Sequence, residues 1–525
     1  MGIYINKGNE GFRSALNGTY VDKTGIIGVI NPTLDTERRF SCVTRCRRFG
    51  KTMAVDMLRA YYDKSCDSSS LFEGLEATCC KSFAQHLNKY PVLNLDVTDF
   101  ITRYGHDADI VSYIQRDIME DVLYAYPDVQ KKDNDDLMEL LIRIYQQTHE
   151  KFIMLIDEWD AICREFENDH KVMEGYVNLL RRLFKGSNSK DVFAEVYMTG
   201  ILPIKKYNTQ SALNNFEEYS VIDPADLASY FGFTPEEVAR VAADYGRDCE
   251  ELKKWYDGYQ IGTASSIYNP YSVMKAVQRG KYTSYWQKTE TYDSLATFIK
   301  MNFYGLKDDI IKMLAGGRCR VNTTTFSNDM HDVRSKDDVL TVLIHLGYLS
   351  YDENTSECYI PNKEVSIEMT NAVEATDWWN LSDALSASEK LLKDTLEGNE
   401  TAVAEGLEMA HDENTSILSY NDENSLACVL SIAYYHAKND YIIHRELASG
   451  KGFADLVLIP RRNVNSPAIV LELKYNKTAS SAISQILRKN YPAKVAEYVG
   501  DILLVGINYD KETKSHTCKI RRITK

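Results

Sequence analysis

A short apolar run that leads into a glycine, a lysine and a threonine constrains the fold more than any other part of the chain. Residues 39–52 read Arg-Phe-Ser-Cys-Val-Thr-Arg-Cys-Arg-Arg-Phe-Gly-Lys-Thr, and a helical pattern begins at Met53. A strand, a tight turn and a helix start in this order direct backbone N–H groups and the positive end of the helix dipole at one spot. Such a spot binds phosphate, so the run predicts a nucleotide-binding loop in an α/β protein.

The loop predicts roles for its own residues. Lys51 is expected to reach the β- and γ-phosphates of ATP, and the Thr52 hydroxyl to bind Mg²⁺. The fit to Gly-x-x-x-x-Gly-Lys-Ser/Thr is incomplete, because Arg45 stands at the first glycine position. The other predicted nucleotide contacts share one stretch of the loop, namely Arg47, Arg48, Phe49 and Gly50.

An apolar run closed by two carboxylates supplies the second half of this site. Residues 152–158 read Phe-Ile-Met-Leu-Ile-Asp-Glu, which is typical of a buried parallel strand that ends at an active-site edge. Asp157 is expected to hold Mg²⁺, and Glu158 to act as the catalytic base on the attacking water. Thr199 ends the next predicted strand, where it either senses the γ-phosphate or simply caps the strand. Each motif alone could be an ordinary helix start or strand end, but together they favour ATP hydrolysis.

Composition limits the class of protein. At 525 residues the chain is long enough for about three domains, and 44% apolar residues can fill several cores. The formal charge of −15 argues against non-specific coating of nucleic acid, so any polyanion must be met locally. We expect a cytoplasmic protein without a membrane partner, since no leader precedes the first motif and no run approaches the ~18 apolar residues of a membrane helix. The cysteines lack zinc-site spacing and are expected to be reduced and mostly buried.

The order of patterns predicts four segments. Residues 1–220 alternate strands and helices, which predicts a parallel sheet covered on both faces. From about 221 the strands stop, so residues 221–300 are expected to form a helical lid. Residues 301–410 are expected to be helical up to Leu346 and then to form a hairpin, as in a winged-helix-like connector. Residues 411–525 carry a second group of charged side chains on two predicted strands.

These two strands could form a metal site. Asp455 lies in the strand at 452–460, and Glu472 and Lys474 lie near the end of the strand at 468–474. Side chains two residues apart in a strand share a face. If the strands pair, Asp455 and Glu472 can bind one Mg²⁺, and Lys474 can orient or deprotonate a water that attacks a phosphodiester. The alternative is a half-exposed hairpin with a salt-bridged Glu-x-Lys pair.

A series of short motifs resembles that of a known two-part family. The motifs are Tyr20–Thr24, Thr44–Thr52, Leu155–Asp160, Thr199–Leu202, Leu213–Asn215, Trp255–Tyr259, Tyr268–Pro270, Ala454–Leu458, Glu472–Lys474 and Gln485–Ile486. Taken in this order they resemble an AAA-like P-loop ATPase joined to a C-terminal PD-(D/E)XK nuclease-like domain. The resemblance covers nearly the whole chain.

The resemblance implies a fold and a function. The fold is an AAA-like parallel sheet with a helical lid, a winged-helix-like connector and a restriction-endonuclease-like α/β domain. The function is ATP-regulated, Mg²⁺-dependent cleavage or handling of nucleic acid, with DNA as the favoured partner, in defence or mobile-element biology. A homo-oligomer is compatible with it, because an arginine finger can come from a neighbouring subunit. The alternative is a nucleotide-dependent switch whose nuclease-like domain is not catalytic.

Two positions depart from the family pattern. Cys46 replaces a proline in the loop, which should loosen the loop without removing a phosphate contact. Phe453 stands where an arginine usually precedes the nuclease aspartate, which puts substrate-backbone contact in doubt but not metal binding. The resemblance also implies an upstream acidic residue in the nuclease site, for which Glu423 and Glu446 are rivals.

Overall fold

The computed structural model covers residues 1–525 and describes the chain except residues 1, 167–168, 205–212, 287–290, 302, 331, 375–378, 414–429, 431–432, 439, 450–451, 462–465, 489–494, 496–499 and 525. It describes the backbone alone at residues 291–294, 374, 379–386, 411–413, 435, 438, 445–449 and 452–455.

The chain forms two compact units. The first comprises Met1–Thr289 and Arg320–Ile367, and the second comprises Glu290–Cys319 and Glu368–Lys525. This division is coarser than the four predicted segments, whose boundaries stay a prediction.

A parallel sheet lies at the centre of the first unit. Its strands are β1 (Phe40–Thr44), β2 (Val92–Asp96), β3 (Phe152–Asp157), β4 (Phe193–Gly200) and β5 (Glu217–Tyr219). Their order is β2-β3-β4-β1-β5, and each neighbouring pair runs parallel. The predicted parallel sheet is confirmed. Because β4 lies between β1 and β3, the strand bearing Thr199 separates the loop strand from the carboxylate strand.

Helices cover this sheet. They are α1 (Glu10–Leu16), α2 (Ile26–Ile30), α3 (Lys51–Tyr62), α4 (Phe83–His86), α5 (Val97–Tyr104), α6 (Ile110–Ala125), α7 (Leu137–Thr148), α8 (Ala161–Glu165), α9 (His170–Phe184) and α10 (Ser189–Val192). Short 3₁₀ turns lie at Asn31–Thr33, Ser69–Leu71 and Glu76–Cys79. One core is formed by apolar side chains from β2, β3 and the helices α5 to α9, including Leu95, Ile118, Leu141, Ile156 and Leu180. Burial of this apolar area is the main force that holds the sheet and helices together.

The segment after the sheet is less purely helical than its pattern predicts. A 3₁₀ turn at Ala225–Tyr230 precedes α11 (Pro235–Asp244), α12 (Cys249–Tyr256) and α13 (Pro270–Arg279). Thr234 and Glu237 form a reciprocal capping box at the start of α11. The prediction that strands stop near residue 221 was wrong, because β6 (Tyr259–Ile261) and β7 (Ala264–Ile267) form an antiparallel hairpin. Gly262, with φ of +57°, occupies the turn between these strands, where glycine tolerates the left-handed conformation.

The remaining residues of the first unit form a helix and a hairpin. They are α16 (Lys336–Leu346), β9 (Ser350–Asp352) and β10 (Glu357–Tyr359), with β9 and β10 antiparallel. The expected helix-then-hairpin order is confirmed, although residues 321–330 form turns and not helix. Three further helices and a two-residue strand lie wholly or partly in the second unit, namely α14 (Thr291–Lys300), α15 (Leu306–Leu314), β8 (Cys319–Arg320) and α17 (Lys363–Glu374).

The second unit is built on a mixed sheet. Its order is β11 (Tyr441–Ser449), β12 (Gly452–Pro460), β13 (Ala468–Tyr475), β14 (Ile502–Asp510) and β15 (Ser515–Ile523). Only β13 and β14 run parallel among these neighbouring strands of the described chain. The flanking helices are α18 (Trp379–Glu397), α19 (Glu400–Glu413) and α20 (Ala479–Arg488). A 3₁₀ turn covers Tyr435–Lys438, and most of the helix predicted at 425–438 lies outside the described residues.

Alternation along β14 gives this sheet two apolar faces. Leu503 and Val505 pack with residues of α18 and α19, whereas Ile502 and Leu504 pack with Ile486 of α20. Strand residues alternate between faces, so each face of β14 fills a separate core.

Two further expectations concern the chain as a whole. None of the helices that the structure describes is long and apolar enough to cross a membrane. Most of the described cysteines are not buried, contrary to expectation, and the buried ones are Cys42, Cys46, Cys319 and Cys358.

Candidate functional site

The loop between β1 and α3 has the backbone of a phosphate-binding turn. Gly50 adopts φ of +92° directly before Lys51, and an ideal Cβ on Gly50 would meet nothing within 4 Å. Glycine is therefore favoured there by its backbone conformation and not by lack of space. Arg48 also lies in the left-handed region, at φ of +70°. The helix that follows, α3, leaves its first N–H groups open at the end of the loop.

Arg45 serves the structure of the loop rather than its surface. Its side chain is fully buried, and its Nη1 donates to the carbonyl oxygens of Thr44 at 2.8 Å and Tyr219 at 2.7 Å. Its Nη2 donates to the carbonyl of Leu227 at 3.1 Å, and its Cζ lies 5.0 Å from the centroid of the Phe231 ring. Burial lowers the pKa of Arg45 to about 10. Arg45, at the first glycine position of the motif, thus links the end of β1 by hydrogen bonds to the segment that precedes α11.

Other loop side chains contact neighbouring segments of the first unit. Arg48 donates to the carbonyl of Tyr285 at 3.2 Å, and its Cζ lies 4.1 Å from the centroid of the Tyr271 ring. Phe49 is buried edge-on against Tyr259, with ring centroids 5.1 Å apart. The side chain of Phe49 is therefore a packing group, and its nucleotide contact stays a prediction. Arg47 is half-buried.

Cys46 packs against the carboxyl end of α16. Its Sγ lies 3.7 Å from the carbonyl oxygen of Ile344, and an ideal Cβ on Gly347 would come within 2.8 Å of the Cys46 Cβ. Burial raises the pKa of the Cys46 thiol to about 11, so it stays protonated at neutral pH. A small side chain at this position lets the loop and the end of α16 approach closely.

Lys51 and Glu158 lie together at the carboxyl edge of the sheet. Lys51 Nζ donates to the carbonyls of Arg45 at 3.2 Å and Cys46 at 3.4 Å, and it lies 3.5 Å from Glu158 Oε1. Arg164 Nη2 donates to the other oxygen, Glu158 Oε2, at 2.7 Å. One carboxylate is therefore shared by two cations.

Asp157 lies beside the predicted metal-binding hydroxyl. Its carboxyl accepts a hydrogen bond from Thr52, and burial raises its pKa to about 7 despite that bond. Asp96 is its register partner on β2, and burial also raises the pKa of Asp96. A buried carboxyl with a raised pKa is stabilised when a cation binds it.

Thr199 occupies the expected position on β4. Ile156 of β3 pairs with Met198 of β4, so the next residues, Asp157 and Thr199, lie side by side near the carboxyl ends of adjacent parallel strands. Within the part of the chain that the structure describes, the buried Thr199 Oγ1 has no hydrogen-bond partner. A buried hydroxyl without a partner is costly unless a ligand satisfies it. Thr52, Asp157, Lys51 and Thr199 thus fit a nucleotide with its Mg²⁺.

Glu472 and Lys474 form a buried cluster in the second unit. Glu472 is 2% exposed and Lys474 is 7% exposed. Lys474 Nζ donates to Glu472 Oε1 at 2.9 Å, and Gln485 Nε2 of α20 donates to the same oxygen. An ideal Cβ on Gly506 would lie 2.4 Å from the carbonyl oxygen of Ala479, so a glycine in β14 lets α20 descend close to this cluster. The half-exposed pair considered as an alternative does not occur.

Asp455 is placed only by its backbone. It belongs to β12, whose antiparallel register with β13 ends at the pair Leu456 and Leu471, one position short of Asp455 on β12 and of Glu472 on β13. Glu446 lies on β11, whereas Glu423 lies outside the described residues. No group of three or more His, Cys, Asp or Glu forms a metal site among the described side chains, which do not include that of Asp455. The metal role of Asp455 and Glu472 stays a prediction.

Sequence reasoning missed two side chains that contact the predicted site residues, namely Arg164, which contacts Glu158, and Gln485, which contacts Glu472. Arg164 and Asp160 are joined by a bond of 3.0 Å from Arg164 Nε to Asp160 Oδ2, and Arg164 contacts Glu158. Their four-residue separation, Asp before Arg, is a signal that a search for helical ion pairs would have found. Gln485 belonged to a recognised motif, but its bond to Glu472 needed the packing of α20 onto the sheet.

Comparisons with known proteins agree with the two units. Residues 12–209 match the family model described as predicted AAA-ATPase, and residues 421–518 match that of the PD-(D/E)XK nuclease superfamily. The chain thus carries an AAA-ATPase-like region at residues 12–209 and a region of the PD-(D/E)XK nuclease superfamily at residues 421–518. This is the architecture that the motifs predicted.

Individual relatives add little to this assignment. The chain is similar to an uncharacterized protein in the vnfD 5' region of Azotobacter chroococcum mcd 1, with 25% identity over 275 residues. The match covers 52% of this chain and 51% of that protein, so the chain spans about half the length of the curated relative.

Two solved structures are also similar. Cdc6p from Pyrobaculum aerophilum matches with 10% identity over 67% of this chain and 92% of its own, at a TM-score of 0.24. The ORC2 protein of Aeropyrum pernix, in ADPNP–ADP complexes, matches with 12% identity over 71% of this chain and 99% of its own, at a TM-score of 0.29. TM-scores this low support no conclusion about this chain.

Proposed function

We propose that the protein is a cytoplasmic enzyme that hydrolyses ATP in its first unit and cleaves nucleic acid, DNA in the first place, in its second. Mg²⁺ would serve both sites. Defence against foreign DNA or mobile-element biology is the setting that such an activity suits. One observation supports the ATPase above all others, namely that Lys51, Asp157, Glu158 and Thr199 gather at the carboxyl ends of β1, β3 and β4. Ligands of open parallel sheets bind at this edge.

Each group at this edge has a chemical task in ATP hydrolysis. Lys51 would leave the loop carbonyls for the β- and γ-phosphates, while Thr52 and Asp157 would hold Mg²⁺, which neutralises developing phosphate charge. Glu158 would take a proton from the attacking water. As that proton moves, the bond from the water oxygen to the γ-phosphorus forms and the bond from that phosphorus to the ADP oxygen breaks. Thr199 would donate to a γ-phosphate oxygen.

The buried Glu472–Lys474 pair supports a catalytic second unit. Both side chains are almost fully buried, and an ion pair in such a place costs about as much in desolvation as it returns. Stability therefore does not account for it. Glu472, with Asp455, would provide the oxygen ligands that Mg²⁺ prefers, and Lys474 would serve the water that attacks the phosphodiester.

The same pair also favours a second candidate. Lys474 contacts Glu472 directly, so a cation already occupies the carboxylate that a metal would need. A nucleotide-dependent switch whose nuclease-like domain only binds nucleic acid would keep this pair closed.

A single assay separates the two candidates. The purified protein is incubated with single- and double-stranded DNA and RNA, with Mg²⁺ or Mn²⁺, and with or without ATP. We expect metal-dependent cleavage that disappears in Asp455→Ala. Asp501→Ala, which changes an aspartate of the same unit outside the proposed site, is the matched control and should cut as the parent does. Binding of nucleic acid without cleavage under any metal would favour the switch.

A further inference from the structure

Arg164 of α8 connects the proposed base to the end of the neighbouring strand. Its Nη2 donates to Glu158 Oε2 at 2.7 Å, and its Nε donates to Asp160 Oδ2 at 3.0 Å. Only 10% of the Arg164 side chain is exposed. The planar guanidinium can engage two carboxylates at once in fixed directions, which a lysine ammonium cannot do.

Asp160 is itself fixed. Its carboxylate is buried and accepts from the backbone N–H of Leu202 at 3.0 Å and from that of Ile201 at 3.3 Å. These residues directly follow Thr199 and Gly200 at the end of β4. The chain of contacts therefore runs from the segment after β4 through Asp160 and Arg164 to Glu158. Arg164 is held at one end and holds Glu158 at the other.

Glu158 needs such a partner because its backbone alone does not fix its side chain. Its φ of +50° is uncommon for a residue other than glycine and marks a sharp turn directly after β3. The side chain is 23% exposed, so it is not locked by close packing. The contacts that fix its carboxylate are Lys51 on Oε1 and Arg164 on Oε2.

We propose that Arg164 is a positioning residue for ATP hydrolysis, and this role rests on the proposed ATPase function. When Lys51 turns to the phosphates, Arg164 keeps Oε2 in place and Oε1 becomes the oxygen that receives the proton from water. That proton transfer accompanies formation of the bond between the water oxygen and the γ-phosphorus and loss of the bond to ADP. In this role Arg164 acts through Glu158 and not directly on the nucleotide or the water.

A purely structural role for Arg164 predicts a different effect of losing its side chain. If it only fastened α8 to the sheet, its loss would lower the melting temperature and would not act through Glu158. A positioning role instead acts on turnover and depends on the presence of the Glu158 carboxylate.

The test compares turnover and nucleotide affinity in single and double variants. Arg164→Gln should lower kcat for ATP about 10- to 100-fold, the usual effect of losing a group that orients a catalytic one, with KM within about twofold of the parent. Arg164→Lys should restore part of the loss. In a Glu158→Gln background, Arg164→Gln should have no further effect on kcat. Arg143→Gln removes the guanidinium of an arginine on α7, which pairs with Asp135 at 2.6 Å, and should keep the parental kcat.

Each outcome separates this role from the ATPase proposal. A parent protein that binds ATP but does not hydrolyse it would overturn the ATPase proposal and, with it, the role of Arg164. If Arg164→Gln hydrolyses ATP as fast as the parent does, the role of Arg164 alone is overturned. An equal loss from Arg164→Gln with and without the Glu158 carboxylate would mean that Arg164 acts elsewhere.

Discussion

In the loop before α3, some residues of the motif are candidates for nucleotide binding, whereas others stabilise the loop by packing. Gly50 and Lys51 take the positions that the motif predicts, whereas the side chains of Arg45 and Phe49 pack against neighbouring segments of the first unit. Sequence spacing identifies the lysine because the helix start fixes its place. It does not reveal that Arg45 binds backbone carbonyls of residues 219–227, since those contacts depend on how distant segments return to β1.

Lys51 gives the first test of the loop. Lys51→Ala removes the ammonium placed for the β- and γ-phosphates, so ATP should no longer raise the melting temperature of the protein. Thermal melts with and without ATP and Mg²⁺ measure this directly. Lys64→Ala, which removes an exposed ion pair with Glu150 beyond the end of α3, is the control and should keep the ATP-dependent rise. An undiminished rise in Lys51→Ala would show that the nucleotide binds elsewhere.

Glu158 gives a test that separates binding from turnover. Glu158→Gln keeps the shape of the side chain but removes its basicity, so ATP should still stabilise the protein while hydrolysis falls by about 10²- to 10⁴-fold. Phosphate release under saturating ATP is the measurement. Asp160 is a poor substitute base, because its buried carboxylate already accepts from Arg164 and two backbone N–H groups. Unchanged turnover would nevertheless move the base away from Glu158.

The raised pKa of Asp157 predicts a pH-dependent stability. Its carboxyl keeps a proton up to about pH 7 in the folded protein, whereas its ordinary pKa is 3.8. Between these values the folded state binds more protons than the unfolded state, so this group lowers stability as pH rises through the window. Asp157→Asn, which cannot ionise, should therefore raise the melting temperature relative to the parent more at pH 8 than at pH 5. An equal difference at both pH values would contradict the buried, raised carboxyl.

At the scale of elements, strong periodic patterns were predictable and short strands were not. The strands β1, β3 and β4 are buried along their whole length and mostly apolar, and they were visible in the sequence, as was the capped start of α11 at Thr234. The hairpin of β6 and β7 was missed, because three- and four-residue strands carry little periodicity and owe their pairing to tertiary contacts. Tyr259 illustrates this, since its hydroxyl donates to the carbonyl of Gly347 at 2.9 Å.

Gly258 tests the packing of this hairpin. It has φ of +101°, and an ideal Cβ there would lie only 2.0 Å from the carbonyl oxygen of Pro361. Gly258→Ala should cost about 1–2 kcal/mol for the left-handed backbone and about 1–3 kcal/mol more for the forced displacement. Gly74→Ala is the control, because Gly74 has φ of +76° but nothing within 4 Å of its ideal Cβ. Melting temperatures should fall clearly more for Gly258→Ala, and equal falls would contradict the close approach.

At the scale of the whole molecule, the two chemical centres belong to separate units with separate cores. Among the residues that the structure describes, the core around β3 and the cores around β13 have no member in common. Sequence motifs pointed to the residues of both proposed centres because each of these residues lies within or shortly after an apolar strand. They could not give the burial of Glu472 and Lys474, which depends on α20 packing over the sheet. Burial changes the interpretation of the Glu472–Lys474 pair. A solvated ion pair would need no explanation, but a buried one is not explained by stability alone.

The last prediction uses this separation. Asp455→Ala or Glu472→Ala removes a hard oxygen ligand, so each should abolish metal-dependent cleavage of nucleic acid. Both variants should keep parental ATP hydrolysis, because the ATPase residues lie in a unit with its own core. Lys474→Ala should also lose cleavage but should bind Mn²⁺ about as tightly as the parent does, since an ammonium is not a metal ligand. Cleavage that survives Asp455→Ala would belong to another site, and weaker Mn²⁺ binding in Lys474→Ala than in Glu472→Ala would reverse the roles given to these two residues.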